Sequence, residues 1–193
     1  AHGAGPEELR RQRVEIEEVN RRMGGEFRVL AGVEVEVRAD GSLDLPDEVL
    51  AELDLVVAAV HSGLRQPREQ VTARAIAALH HPHVDILAHP TGRLLSQREG
   101  ADIDLEAVLR VAAETGKAVE VNAHPWRLDL NDIGVRRAIE LGVLLAISSD
   151  AHDPEDFGLL HFGVAMARRG WATPAHILNA RSVEEVLAWA RSR

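Results

Sequence analysis

The residues that could do chemistry lie where apolar runs end. Ser148-Ser149-Asp150-Ala151-His152 follows the run Val143 to Ile147. A carboxylate and an imidazole two residues apart, just past a strand, project from the same side of a pleat. That suits two ligands entering one metal cluster. Leu53 to Val60 runs into His61, Asp85 to Ala88 into His89-Pro90, and Ala118 to Ala123 into His124-Pro125. A single histidine in such a place is ordinarily structural; four strand ends with the same placement point to a shared site. Glu34 sits inside the otherwise apolar Gly32-Val33-Glu34-Val35-Glu36. A buried glutamate is costly unless paired or metal-bound, and Glu34 shares a face with Glu36. The alternative is that both lie on a solvated edge. His80, His81 and His83 read as a surface loop, and His161 and His176 as core-edge or surface residues.

Two arginine loops follow candidate ligands: Thr91-Gly92-Arg93 after His89, and Trp126-Arg127-Leu128-Asp129 after His124. An arginine beside a metal cluster suits a substrate phosphate, which it holds by bidentate hydrogen bonds. Ordinary surface pairing with an acid is the competing reading. The chain has no cysteine, which excludes disulfides and thiolate sites and fits a cytoplasmic setting. A metal site built from His, Asp and Glu favours Zn, Mn or Fe.

The elements that must position these residues alternate. Pro6 to Met23 reads as an amphipathic helix with Leu9, Val14 and Val19 near one face, stopped by Gly24-Gly25. Phe27 to Val37 is the first strand, and Pro46 to Leu50 a short helix. Strands follow at Leu53–Val60, Val84–Ala88, Ala118–Val121 and Val143–Ile147. Helices span Pro67–His80, Asp104–Thr115, Asn131–Leu141, Phe157–Arg169 and Ser182–Arg191, the last with the capping box Ser182/Glu185. Continuous apolar strands alternating with helices imply a parallel α/β sheet. Five strands are too few for a closed barrel of about eight. Strand-end ligands nevertheless favour a barrel-like architecture, whose active sites sit at that end.

At 193 residues and 46% hydrophobic, the chain can bury a core and is expected to form one domain, residues 1–193. No apolar run approaches ~18 residues, so no membrane segment is expected. The start lacks a signal-peptide pattern and an initiator Met, which suggests a fragment or processed chain. A net charge of −9 argues against a protein that tracks duplex phosphates. Clustered acids around bound cations are consistent with it. Among the 22 basic residues only Lys117 is lysine.

Gly32-Val33-Glu34, Val60-His61-Ser62, Ala88-His89-Pro90 and Ser149-Asp150-Ala151-His152, in this order, resemble the PHP (polymerase and histidinol phosphatase) superfamily. His89-Pro-Thr-Gly-Arg-Leu-Leu95, Arg127-Leu-Asp-Leu-Asn-Asp132 and Ala167-Arg-Arg-Gly-Trp171 resemble the C-terminal PHP domain of bacterial family X DNA polymerases. The resemblance implies a distorted (β/α)7 TIM-like barrel with up to three metal ions, Mn2+ or Zn2+, at the strand ends. It implies Glu34 as the bridging carboxylate, His61 and His89 on one metal, Asp150 on another and His152 on the third. His124 stands where the family commonly has Asn, and is an added ligand or a group behind one. The family's opening His-x-His and Asp-His pairs are not in the chain. One or two βα units are therefore expected to be absent, with Ala1-His2-Gly3 following the second strand.

The implied activity is metal-dependent phosphoester hydrolysis, a 3′→5′ exonuclease or DNA 3′-end processing function. Glu34, Asp150, Arg93 and Arg127 would be the catalytic residues, DNA 3′ ends the partner, and a polymerase module part of the full-length protein. The alternatives are a small-molecule phosphatase of the histidinol-phosphatase type and a non-catalytic domain with an incomplete metal site.

Overall fold

In the computed structural model, which describes residues 3–192, helix and strand alternate up to α6, and α7 follows α6 with no strand between them. The elements are α1 (Pro6–Arg22), β1 (Gly32–Glu36), α2 (Asp47–Leu50), β2 (Leu55–Ala59), α3 (Arg68–His80), β3 (Ile86–Leu87), α4 (Leu105–Thr115), β4 (Ala118–Asn122), α5 (Asp132–Glu140), β5 (Leu145–Ser148), α6 (Leu160–Arg169) and α7 (Val183–Arg191). The sheet is parallel throughout and runs in chain order, β1-β2-β3-β4-β5. Ala1 and His2, read from the sequence as following an absent strand, lie outside the described residues.

Local chemistry sets the helix ends. The Asp104 side chain accepts from Ala107 N–H to open α4, and Gly116 closes it at φ 68°, a left-handed cap that glycine adopts without a Cβ clash. Asn131 caps α5 by accepting from Gly134 N–H, and Ser182 with Glu185 forms the expected box at α7.

The strands divide their side chains between two faces with period two. Leu87, Val119, Val121, Leu145 and Ile147 pack into the main core with Leu79, Val108, Leu109 and Val135 from the helices. On the opposite face Ile86, Ala118 and Ala146 meet Leu178, with Val186 and Trp189 packed against them. The register Glu34↔Val57↔Ile86↔Ala118 places Glu34 on this second face, and Glu120, Asn122 and Ser148 continue it toward the C-terminal ends of β4 and β5. One face of the sheet is therefore apolar below and polar above.

The first strand is shorter than its sequence suggests. Before Gly32 the backbone is taken by side chains: Asn20 bonds Val29 N–H and C=O at 2.7 and 2.8 Å, and Asp54 accepts from Ala31 N–H at 2.9 Å. Those groups cannot join a ladder. Helix α1 differs as well, because Leu9 is buried while Val14 and Val19 are exposed. Polar contacts hold it to the body, among them Arg13 donating to the Glu52 carbonyl at 2.8 Å. The expected helix from Phe157 begins only at Leu160, since Pro154–Leu159 forms a 3-10 turn capped by Asp153 and Asp156.

The β5 edge is closed without a strand. The Asn179 amide accepts from Ile147 N–H at 3.0 Å and donates to its carbonyl at 2.6 Å. A single parallel bridge joins Leu145 to Ile177 beside it.

Candidate metal centre

Glu34, His61 and His89 come together at the ends of β1, β2 and β3. Each offers one ligand atom, and the three atoms lie within 4.8 Å of one another. His61 Nε2 is 3.1 Å from Glu34 Oε1 and His89 Nε2 is 3.7 Å from Glu34 Oε2; the two rings are 5.1 Å apart. The His89 side chain is 1% exposed, and neither ring nitrogen has a hydrogen-bond partner among the described residues. A buried imidazole with both nitrogens unpaired is costly. A divalent ion held with His61 and Glu34 would satisfy one of the two nitrogens, and the donor set fits Zn or Mn.

Groups behind the ligands fix their geometry. Glu36 Oε2 lies 2.8 Å from His61 Nδ1 and accepts His61 N–H at 3.1 Å, while its other oxygen takes Ser62 N–H and Oγ–H. The two glutamates of β1 thus address the two nitrogens of one imidazole, and Glu36 leaves Nε2 to face Glu34. A carboxylate behind a ligating histidine sets its tautomer and raises its basicity. Arg74, on α3 and 2% exposed, ties these strand ends together. It donates to the carbonyls of Val37, Arg38 (2.9 Å) and Ser62 (2.7 Å), and lies 3.7 Å from Glu36 Oε1.

The Glu34 side chain is 38% exposed; its partial burial alone would raise the carboxyl, but the His61 and His89 imidazoles outweigh it and hold the group well below the usual carboxylate range. Burial also opposes the lowering of Glu36, which the Ser62 and His61 hydrogen bonds produce. His61 moves up, chiefly through its contact with Glu34.

His89 takes φ 22°, an uncommon value for a side-chain-bearing residue. Its N–H donates to Glu120 Oε2 at 2.6 Å, and the turn after it is gathered by Asp129, which accepts from Thr91 N–H (3.0 Å), Thr91 Oγ–H (2.9 Å) and Gly92 N–H (3.0 Å). Both acids are buried. Burial pushes the Glu120 carboxyl up to about 7 and raises Asp129.

The other sequence-derived candidates gather at the ends of β4 and β5. Asp150, at φ 54°, accepts from Arg127 Nε at 3.0 Å and from the Asn122 amide at 3.1 Å. Asn122 also lies 3.4 Å from Glu120 Oε2, so a polar chain runs from Asp150 to the backbone of His89. His152 is largely exposed, its Nδ1 2.8 Å from the Asp150 carbonyl. His124 is half-buried, with Nδ1 accepting from Trp126 N–H. Arg93 spends Nε and one terminal nitrogen on the carbonyls of Arg127 and Leu128, and so braces the loop that presents Arg127. His161 and His176 are away from both groups, bonded within their own turns.

Sequence reasoning named Glu36 only as sharing a face with Glu34, and passed over Arg74, Glu120, Asn122 and Asp129. For Glu120 and Asn122 a signal was present: Ala118-Val-Glu-Val-Asn122 alternates as Val33-Glu-Val-Glu36 does.

No family model matches the chain. Over 191 residues it is 43% identical to the DNA polymerase/3′-5′ exonuclease PolX of Bacillus subtilis, covering 99% of this chain and 33% of that protein. It is 32% identical to a probable phosphatase of Thermoanaerobacter sp. over 161 residues, 78% of this chain and 63% of the relative. The chain therefore spans about a third of the first relative's length and under two thirds of the second's. Among solved structures, histidinol phosphate phosphatase from Lactococcus lactis, complexed with Zn, L-histidinol and phosphate, has a TM-score of 0.60 at 14% identity. That match covers 84% of this chain and 74% of the other, and it shows a shared fold.

Parallel sheet, strand-end histidines and a shared carboxylate define an α/β protein with a candidate metal centre at one end of its sheet. The matches to PolX and to the probable phosphatases support a place in the PHP superfamily. Within it, the chain is similar to the stretch of PolX that it spans.

Proposed function

We propose that residues 1–193 form a single PHP domain that hydrolyses phosphoesters with bound Mn2+ or Zn2+, acting as the 3′→5′ exonuclease or DNA 3′-end processing part of a bacterial family X DNA polymerase. The observation that carries this reading is the buried His89 imidazole, unpaired at both nitrogens and facing Glu34 beside His61. The identity to PolX across nearly the whole chain supports the choice of DNA. In this reading the five strands belong to a distorted seven-stranded barrel, and the polymerase module and a cytoplasmic setting belong to the full-length protein.

Glu34, His61 and His89 would hold one ion, with Asp150, His152 and His124 serving further ions. The contribution of such ions when bound is Lewis acidity, activating water near neutral pH and offsetting charge on the phosphate. Glu36 holds the His61 ring in its working tautomer. Arg127, set by Asp150 and by the loop that Arg93 braces, receives the phosphate. Glu120 and Asn122 keep the two halves of the site in fixed relation.

The test is release of nucleotides from single-stranded DNA with a free 3′ end in the presence of Mn2+, comparing the chain with Glu34→Ala and Asp150→Ala. Loss in both variants, with folding intact by circular dichroism, supports the reading. Activity that survives both would refute it. Phosphatase-named relatives at about a third identity favour one second reading, a small-molecule phosphatase; cleavage of histidinol phosphate and not of DNA would select it. The outward position of His152 favours a non-catalytic domain with an incomplete metal site, which absence of hydrolysis on both substrates would select.

A further inference from the structure

Next to the triad, the ends of β4 and β5 enclose a space that the triad does not use. It measures about 220 Å3 and is lined by Leu94, Gln97, Trp126, Arg127 and Asp150, together with the candidate ligands His124 and His152. Trp126 is 52% exposed, and its indole makes no hydrogen bond among the described residues. Packing does not require the ring there, yet its backbone is held firmly. Leu95 N–H donates to the Trp126 carbonyl at 2.6 Å, and Arg127 N–H to the His124 carbonyl at 2.8 Å. The ring is presented on two joined loops. The same space is lined by Arg127, which commits Nε to Asp150, and by Gln97, whose side-chain amide is uncommitted among the described residues.

We propose that this space is a nucleobase subsite: one base stacks on Trp126 against Leu94, with its edge toward Gln97 and its phosphate toward Arg127. The inference rests on the phosphoesterase reading and deepens it, because it selects nucleotide esters over phosphates that carry no aromatic ring. Size agrees. Pockets for whole drug-sized ligands run to roughly 300–1,000 Å3, so this one suits a single flat ring system. An amide offers both donors and an acceptor, so Gln97 can meet any base without imposing a sequence. Aromatic stacking is tolerant in the same way. The net charge of −9 gives little backbone attraction along a strand, and holding one terminal base supplies an alternative grip.

The experiment is calorimetric titration of the Zn2+-loaded chain with 2′-deoxyadenosine 5′-monophosphate and, separately, 2-deoxyribose 5-phosphate. Wild type, Trp126→Ala, Trp126→Phe and Gln97→Ala are compared, with metal content measured on each. The wild type should prefer the nucleotide by about ten-fold or more, the scale of one base stacked on an aromatic ring. Trp126→Ala should abolish that preference while leaving sugar-phosphate affinity and metal content unchanged, and Trp126→Phe should keep most of it. Gln97→Ala should lower nucleotide affinity alone, by a few-fold. Should Trp126→Ala not fold, Trp126→Phe decides by fluorescence, since nucleotide-dependent quenching must fall with Trp171 and Trp189 still present.

No preference in the wild type, no binding of either ligand, or equal weakening of both by Trp126→Ala overturns the subsite. A chain that cleaves DNA but binds the nucleotide no better than the sugar phosphate loses only the subsite. One that prefers the nucleotide without cleaving anything loses the enzymatic reading.

Discussion

Replacing Arg74 with Met should cost about 4 kcal/mol, although the residue touches neither a candidate ligand nor the cavity. Its guanidinium reaches three backbone carbonyls, those of Val37, Arg38 and Ser62, together with the Gln66 amide oxygen and the Glu36 carboxylate. Methionine fills most of the same volume, so little of the loss comes from a cavity. The loss comes from polar groups left unpaired under cover, each worth about 1–3 kcal/mol, and from a partly buried Glu36 deprived of its cation, a class of change that costs about 3–5 kcal/mol. Water reaching the exposed side of Glu36 reduces the sum. In urea the midpoint should fall by about 2 M with little change in slope. Arg74→Lys, whose ammonium can reach one or two of those carbonyls, should recover about half. Because Arg74 holds Glu36, and Glu36 holds His61, zinc affinity should fall as well. A destabilisation under about 1 kcal/mol, or an unchanged zinc affinity, would refute the view that this arginine fastens the ends of β1 and β2.

Glu36→Gln should weaken zinc binding about 10- to 100-fold by loosening the His61 tautomer; competition against a chromophoric chelator measures this, and unchanged affinity would sink the assignment. Gly163→Ala should cost about 2 kcal/mol, as overpacking does, because its Cβ would stand 2.6 Å from Ile147 Cγ2 and 2.8 Å from Ala123 Cβ; a thermal melt unmoved from wild type would contradict that packing. Glu120→Gln, in chelator-treated protein, should flatten the dependence of stability on pH. The Glu120 pKa is raised from 4.5 to about 7 in the fold, so its contribution is fully present below about 4.5 and is lost as pH rises toward 7, about 3 kcal/mol in all. Urea titrations at pH 4.5 and 8 that change equally for both proteins would show that Glu120 does not titrate in this window.

Strand ends carrying histidine were legible because a continuous apolar run that stops at a polar residue is a local pattern. Glu34, His61 and His89 could be named from it, and the structure brings those three together. What escaped was whatever depends on a partner far along the chain. Nothing local singles out Arg74, and only the meeting of α3 with the ends of β1 and β2 buries it. Asp129 serves a turn 38 residues earlier, and no spacing announces that. Asp150 and His152 were read as a pair entering one cluster; His152 Nδ1 stands 4.0 Å from Asp150 Oδ1, with the carboxylate bonded to Arg127 and the imidazole largely exposed. The same limit shortened β1, since Asn20 and Asp54 claim backbone groups that the sequence alone offers to a ladder.

The closure of the β5 edge by Asn179 bears on how this protein meets others of its kind at high concentration. An uncovered strand edge is a template on which another chain can add a strand, the first step toward fibres and precipitates. A carboxamide copies the donor and acceptor of a peptide unit, yet it extends no further strand, so growth from that edge stops after one residue. Aspartate in its place would keep the acceptor and set a negative charge against the Ile147 carbonyl, reopening the edge. Strand addition at the β5 edge thus turns on the identity of a single amide.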